Sequence, residues 1–492
     1  MIILFCLTLL LLGCDANPAM ASATAQAALP AFERALQPIA TTTPVPDPAV
    51  VNADCPEVTR HRHTVVADID YTNRTVDVQQ RIQYSHPEAL QQVVVNIEAN
   101  RWANTFFLNR VAQGTTDLPY TLESKRLTID LPEAVAPNCV VEFWLDYRLV
   151  MPRVGLTINA AKGYFGFTER QMNLGHWLAT VAPFRAGAWI SREAFLIGEQ
   201  EVLEQADWSV TLNLVGGAQN ITIAAPGIVT EISPTSRRFV LNAARDFPAS
   251  LSDQFVVNTA TTDAGTVLEL YTFAQDAAAE QAFYTATRSL EQYSRLFGAL
   301  PYTRVLVVQG DFPDGMELSA LVFVGDGWFT RYPNNPASYL TLITAHEVSH
   351  QWWYARVGND AAMTPWLDEA LATYSEYLFI EEYYPDLREW WWNFRVDSFG
   401  PVGFVDSTVY DFSDFRTYIN AVYLRGVRML HALREDIGAE AFFVLLAEYA
   451  AAGDGTIATP ALFWSLLNPE QQALSAETRA AFLRHPELSE EE

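Results

Sequence analysis

Two histidines set four residues apart, in a chain with only eight, constrain this sequence more than any other feature. His346-Glu347-Val348-Ser349-His350 reads H-E-x-x-H. Glu369 follows within Trp366-Leu367-Asp368-Glu369-Ala370, with eighteen residues between it and His350. On a helix the two imidazoles face one way, close enough to share one ion. Composition alone would give such a motif in roughly one chain in a hundred of this kind, so the pattern is not an accident of composition. The preceding Leu342, Ile343 and Ala345 predict a helix with one apolar side. Two imidazoles and a carboxylate make a catalytic zinc set with an open fourth position. The bland alternative is an amphipathic helix with two satisfied histidines. Glu369, at this spacing and in a second helical segment, argues against it.

In that set His346, His350 and Glu369 hold one zinc ion, Zn2+. Glu347 lies on the same turn and is not a ligand. It is placed to move protons to and from a water that the metal makes acidic.

The run His-Glu-Val-Ser-His-Gln-Trp-Trp followed by Trp-Leu-Asp-Glu-Ala resembles the gluzincin aminopeptidases, the group of aminopeptidase N and leukotriene hydrolase. Gly315-Met316-Glu317 is similar to that family's Gly-x-Met-Glu-Asn strand, with Asp314 in place of its first glycine and Leu318 in place of its asparagine. Tyr423-Leu424-Arg425-Gly426 is similar to its Tyr-x-Lys-Gly. The resemblance implies a metallo-aminopeptidase acting on peptides or proteins with a free N-terminus. Gly315, Met316 and Glu317 are the implied substrate-binding residues, and the Glu317 carboxylate grips the α-amino group. Tyr423 is the implied stabiliser of the oxyanion, with Tyr418 the alternative. Glu376, seven beyond Glu369, is the implied support of a ligand histidine. Two other readings stay open: a zinc hydrolase of another bond (endopeptidase or epoxide hydrolase-like), and an inactive member serving as an interaction module.

Fold class follows from texture. Val76, Val78, Ile82 and Tyr84 alternate with polar residues, as do residues 208–214, which predicts an antiparallel β-sandwich or saddle-like domain over 59–257. His61 and His63 read as members of a surface strand. Residues 258–265 are small and polar and read as a linker. A thermolysin-like, mostly helical zinc domain is expected over 266–485, with an acidic tail at 486–492. The larger family members carry a further C-terminal helical domain, which this sequence is expected to lack. His431 reads as structural, and Trp390-Trp391-Trp392 as core or cleft wall.

The first fourteen residues form an apolar run ending in Leu11-Leu12-Gly13-Cys14. It is too short to span a bilayer and predicts a lipoprotein-type signal peptide (1–14) with lipid on Cys14. An Ala/Pro/Thr-rich tether over 15–58 follows. The expectation is an exported, membrane-anchored protein of the cell envelope. There Cys55 and Cys139 are free to pair, although sequence does not decide whether they do. A net charge of −27 argues against a nucleic-acid partner.

Overall fold

The expected alternation builds the first half of the molecule. The structure, a computed structural model, describes residues 58–155, 163–217 and 220–486. Cys14, the tether and the acidic tail beyond 486 lie outside the described residues. Strand Thr75–Tyr84 buries Val76, Val78, Gln80, Ile82 and Tyr84 on one face. It pairs antiparallel with His61–Asp70 and with Val141–Val150 inside an eight-stranded sheet. One pairing in that sheet, His61–Asp70 with Ala206–Val215, is parallel. Two four-stranded sheets and a two-stranded ribbon, Phe184–Arg185 with Ala188–Trp189, complete this β domain.

His61 and His63 are not on a surface. They share the inward face of their strand with Val65, Ala67 and Ile69. His63 stacks on Trp208 at 4.0 Å and meets Gln80 at 2.9 Å, and burial holds its pKa well below the ordinary value. His61 reaches Glu204 at 3.1 Å. Both are core histidines satisfied by local partners. Cys139 is disulfide-bonded; Cys55, the partner that sequence left undecided, lies outside the described residues.

The stretch read as a linker is part of the next sheet. Strand Val256–Thr261 pairs antiparallel with Val267–Thr272. Arg304–Gly310 and Leu321–Gly325 continue the sheet in parallel, and Met316–Leu318 closes it as an antiparallel edge. The second half of the molecule therefore begins near Val256. Its first long helix, Ala277–Phe297, starts where Asp276 accepts a hydrogen bond from the Ala279 amide and stops at Gly298. Helix Tyr339–Ser349 packs against the sheet, and helix Trp366–Tyr383 packs on that helix. The first was expected to have one apolar side. It is buried almost all round, because the sheet and neighbouring helices cover it on every side.

The two halves are joined by polar contacts around the Met316–Leu318 edge. Gln171 of the β domain donates to the Gln309 carbonyl (3.1 Å) and accepts from the Asp311 amide (2.7 Å). The Ser319 amide donates to Asp246 at 2.8 Å. Arg245, 1% exposed, donates to the carbonyls of Leu203 (2.6 Å) and Thr456 (2.7 Å). The bonds of Gln171 and Asp246 fix the sheet around the edge strand to the β domain, and Gln351, just past the helix that carries the site, donates to the Leu318 carbonyl at 3.0 Å.

Candidate metal centre

Helix Tyr339–Ser349 carries His346 and Glu347, and His350 caps its C-terminus. The backbone then leaves helical geometry at Trp353 and Tyr354. Helix Trp366–Tyr383 brings up Asp368, Glu369 and Glu376, all buried. Donor atoms of His346, His350 and Glu369 lie within 4.8 Å of one another. Glu369 Oε2 is 3.3 Å from His346 Nε2 and 3.9 Å from His350 Nε2. A tetrahedral ion with bonds of about 2.0–2.1 Å requires donors about 3.3 Å apart, so the set fits one zinc.

The outer nitrogens are tied back. His346 Nδ1 donates to Glu376 Oε1 at 2.9 Å, as expected of Glu376, and Arg395 donates to both oxygens of Glu376 at 2.8 Å. His350 Nδ1 donates to Asp368 Oδ1 at 2.6 Å and to the Trp353 carbonyl at 3.0 Å. Both Nε2 atoms are thereby left to a metal.

Electrostatics points the same way. Burial lowers the pKa of an imidazole, yet Glu369 and Glu376 raise His346 to about 9. Asp368 outweighs burial at His350 and raises it to about 10. The pocket therefore has a strong appetite for positive charge, which a divalent ion meets in place of protons. Burial pushes Glu347 up to about 8 against the opposing pull of His346 and His350, and burial with the neighbouring acids pushes Glu317 well above the carboxylate range. Glu317 Oε1, Glu347 Oε2 and Glu369 Oε2 are buried oxygens with no hydrogen-bond donor.

The remaining expected residues fall around this centre. Gly315 lies directly against Glu347: a Cβ there would sit 2.0 Å from its Oε1. Met316 and Glu317 are buried on the edge strand. Leu318, where the resembled family has asparagine, is fully buried beside Gly175. Tyr423 lies with its ring parallel to His346 at 6.2 Å, and its hydroxyl reaches Glu369. Tyr418 is 1% exposed and meets Tyr423 edge-on at 5.5 Å, one layer further from the metal ligands. Trp391 is fully buried in the core, and Trp392, half-buried, packs against it and on His431 at 4.8 Å.

Three residues at the centre had no reading from sequence. Asp368 adjoins Glu369 in the chain, but only the fold turns it onto His350. Arg395 reaches Glu376 from nineteen residues away. Glu199, from a β-domain loop, contributes to raising Glu317. No local pattern marks either of the last two.

A helix-borne His-His-Glu centre with a free glutamate beside it, under a short mixed sheet, defines a zinc metallopeptidase architecture. Residues 281–479 match the Peptidase family M1 domain. Aminopeptidase M1-A of Oryza sativa subsp. japonica is 26% identical over 206 residues, covering 38% of this chain and 23% of that protein. Aminopeptidase M1-D of the same plant is 26% identical over 121 residues, covering 22% and 14%. The chain thus spans less than a quarter of the length of these curated relatives. In fold, the M1 zinc metallopeptidase of Deinococcus radiodurans aligns with a TM-score of 0.61 at 15% identity, over 88% of this chain and 96% of that one. A mutant of that enzyme bound to a Tyr-Ser-Ala substrate aligns with a TM-score of 0.60 at 15% identity, over 88% and 98%.

Proposed function

We propose that the protein is a zinc-dependent aminopeptidase. The observation that carries this reading is the convergence of His346, His350 and Glu369 within 4.8 Å, with Glu347 beside them and Glu317 buried on the adjoining edge strand. Zinc, when bound, supplies Lewis acidity to a substrate carbonyl and to water. Glu347 takes the proton of the attacking water on its carboxylate and returns it to the leaving amine. Burial raises the affinity of this carboxylate for a proton, which suits a group that must take one from water and pass it on. Tyr423 donates its hydroxyl to the carbonyl oxygen as negative charge grows there. Glu317 binds the substrate ammonium, so that the first peptide bond stands at the metal. Peptides with a free N-terminus are the substrates in this reading, as the peptide-bound Deinococcus relative suggests.

Chelator-treated protein should fail to cleave aminoacyl reporters, and one equivalent of zinc should restore cleavage. Absence of cleavage across a broad panel of zinc-loaded assays would remove the peptidase reading.

We also propose export and lipid anchoring at Cys14, on the strength of the apolar run that ends there. Among the described residues no helix is long and apolar enough to cross a membrane. Cys14→Ala protein should lose lipid labelling and leave the membrane fraction; unchanged retention would argue for another anchor.

A further inference from the structure

The two imidazoles are backed by different kinds of carboxylate. Behind His346, Glu376 is clasped by Arg395 through both oxygens at 2.8 Å, and Arg395 is itself buried. Its negative charge is already matched by a guanidinium inside the protein. Behind His350, Asp368 is 4% exposed and bonds no lysine or arginine among the described residues. Its near neighbour is another acid: donor atoms of Glu317, His350 and Asp368 lie within 4.8 Å of one another.

His350 also has a second acceptor. Its Nδ1 hydrogen is shared between Asp368 Oδ1 at 2.6 Å and the Trp353 carbonyl at 3.0 Å. The carbonyl is backbone, fixed by the kink after the helix, and is enough by itself to hold the proton on Nδ1 and leave Nε2 for the ion. Asp368 is therefore not needed to choose the tautomer. What it adds is a whole negative charge, one hydrogen bond from a metal ligand, with no internal cation to cancel it. Such a charge makes the imidazole a stronger donor, and the bound ion is the positive charge that it faces.

We propose that Asp368 is a positioning residue for the metal, acting through its uncancelled charge on His350, and that it governs how tightly the site retains its ion. This rests on the metal centre proposed above. Glu376 does the same for His346 only in part, because Arg395 offsets it.

The test uses the full chain, with zinc dissociation constants measured by competition with a chromophoric chelator. Wild type is compared with Asp368→Asn, which keeps a hydrogen-bond acceptor but loses the charge, and with Asp368→Ala, which loses both. Both variants should bind zinc about 10–100-fold more weakly. They should differ from each other by less than about threefold, since the Trp353 carbonyl holds the tautomer in each. Unfolding of the zinc-free proteins should be unchanged or slightly later. Wild-type affinity in Asp368→Asn with a loss only in Asp368→Ala would overturn the proposal, because an acceptor rather than a charge would then suffice. Wild-type affinity in both would overturn it as well. Should the Asn variant fail to fold, Asp368→Ser, small and neutral, gives the same reading. If wild type itself binds less than about a tenth of an equivalent, the metal centre fails rather than this inference.

Discussion

Two of the clusters in which the molecule buries charge do so in opposite ways. In the β domain, Glu98 lies 2.6 Å from Lys125 and 3.5 Å from Arg101, and Arg101 lies 3.2 Å from Glu201. Two acids meet two bases, all of them buried or nearly so. In the catalytic half, Glu317, Glu347, Asp368 and Glu369 crowd together, and none of them bonds a lysine or arginine among the described residues. A balanced cluster holds a fold together. An unbalanced one is kept at a cost in stability, for positive charge that arrives from outside. In the function proposed above, those arrivals are a metal ion and a substrate ammonium.

The contrast is broken most forcefully at Glu347. Glu347→Gln keeps shape but cannot carry a proton. Hydrolysis should fall at least about a hundredfold with zinc still bound. Because the change removes an unpaired buried charge, thermal unfolding should come no earlier than in wild type. Near wild-type turnover, or a marked loss of stability, would place Glu347 with the structural acids of the β domain instead.

Glu317 tests the ammonium side. Glu317→Ala should lower kcat/KM on free peptides by roughly severalfold to a hundredfold and leave zinc content alone. Acetylating the substrate amine should harm wild type to a similar degree and add little in the variant, since one contact cannot be removed twice. Equal cleavage of acetylated and free peptides would remove the exopeptidase reading and move an endopeptidase ahead.

Gly315 sharpens the comparison by steric means. A methyl group placed 2.0 Å from Glu347 Oε1 must push the carboxylate aside. Gly315→Ala should cost about tenfold in kcat, with KM little altered, because a small displacement of a proton-transfer group is felt in the chemical step. An unchanged kcat would mean that the base has room to move without consequence.

What sequence made legible in this arrangement is what lies close along the chain. The ligand set and Glu347 follow from one helical turn and one fixed spacing. Glu376 follows from its distance to Glu369 once the family resemblance is drawn. The partners of these residues arrive through tertiary packing, so Arg395 and Glu199 left no local trace. His61 and His63 are a different case. They alternate in register with Val65, Ala67 and Ile69, so their inward face was written in the sequence, but polarity alone was read as exposure. Strand Val256–Thr261 failed for the converse reason. It is a sheet edge whose side chains are mostly exposed, and without a buried face it shows no apolar alternation.

The smallest effect on activity, and the clearest on stability, should come from the balanced cluster. Lys125→Met leaves Glu98 buried without its nearest cation. Breaking one side of such a pair costs about 3–5 kcal/mol, so the β domain should unfold markedly earlier. The folded fraction should keep its kcat/KM to within about threefold, because Lys125 touches neither ligand, base nor ammonium site. The deficit should also depend on pH in a definite direction. Burial and the neighbouring Glu201 already raise the Glu98 pKa, and Lys125 is among the groups that oppose the rise. Removing Lys125 raises it further. A carboxyl whose pKa is higher folded than unfolded gives its full stability below the unfolded value and loses it as pH climbs through the folded value. The difference between variant and wild type should therefore shrink as pH is lowered toward the ordinary glutamate range and widen toward neutrality. Paired denaturation curves at several pH values measure it. A deficit that stayed constant with pH would mean that lost packing of the lysine stem, not the stranded charge of Glu98, is what the substitution costs.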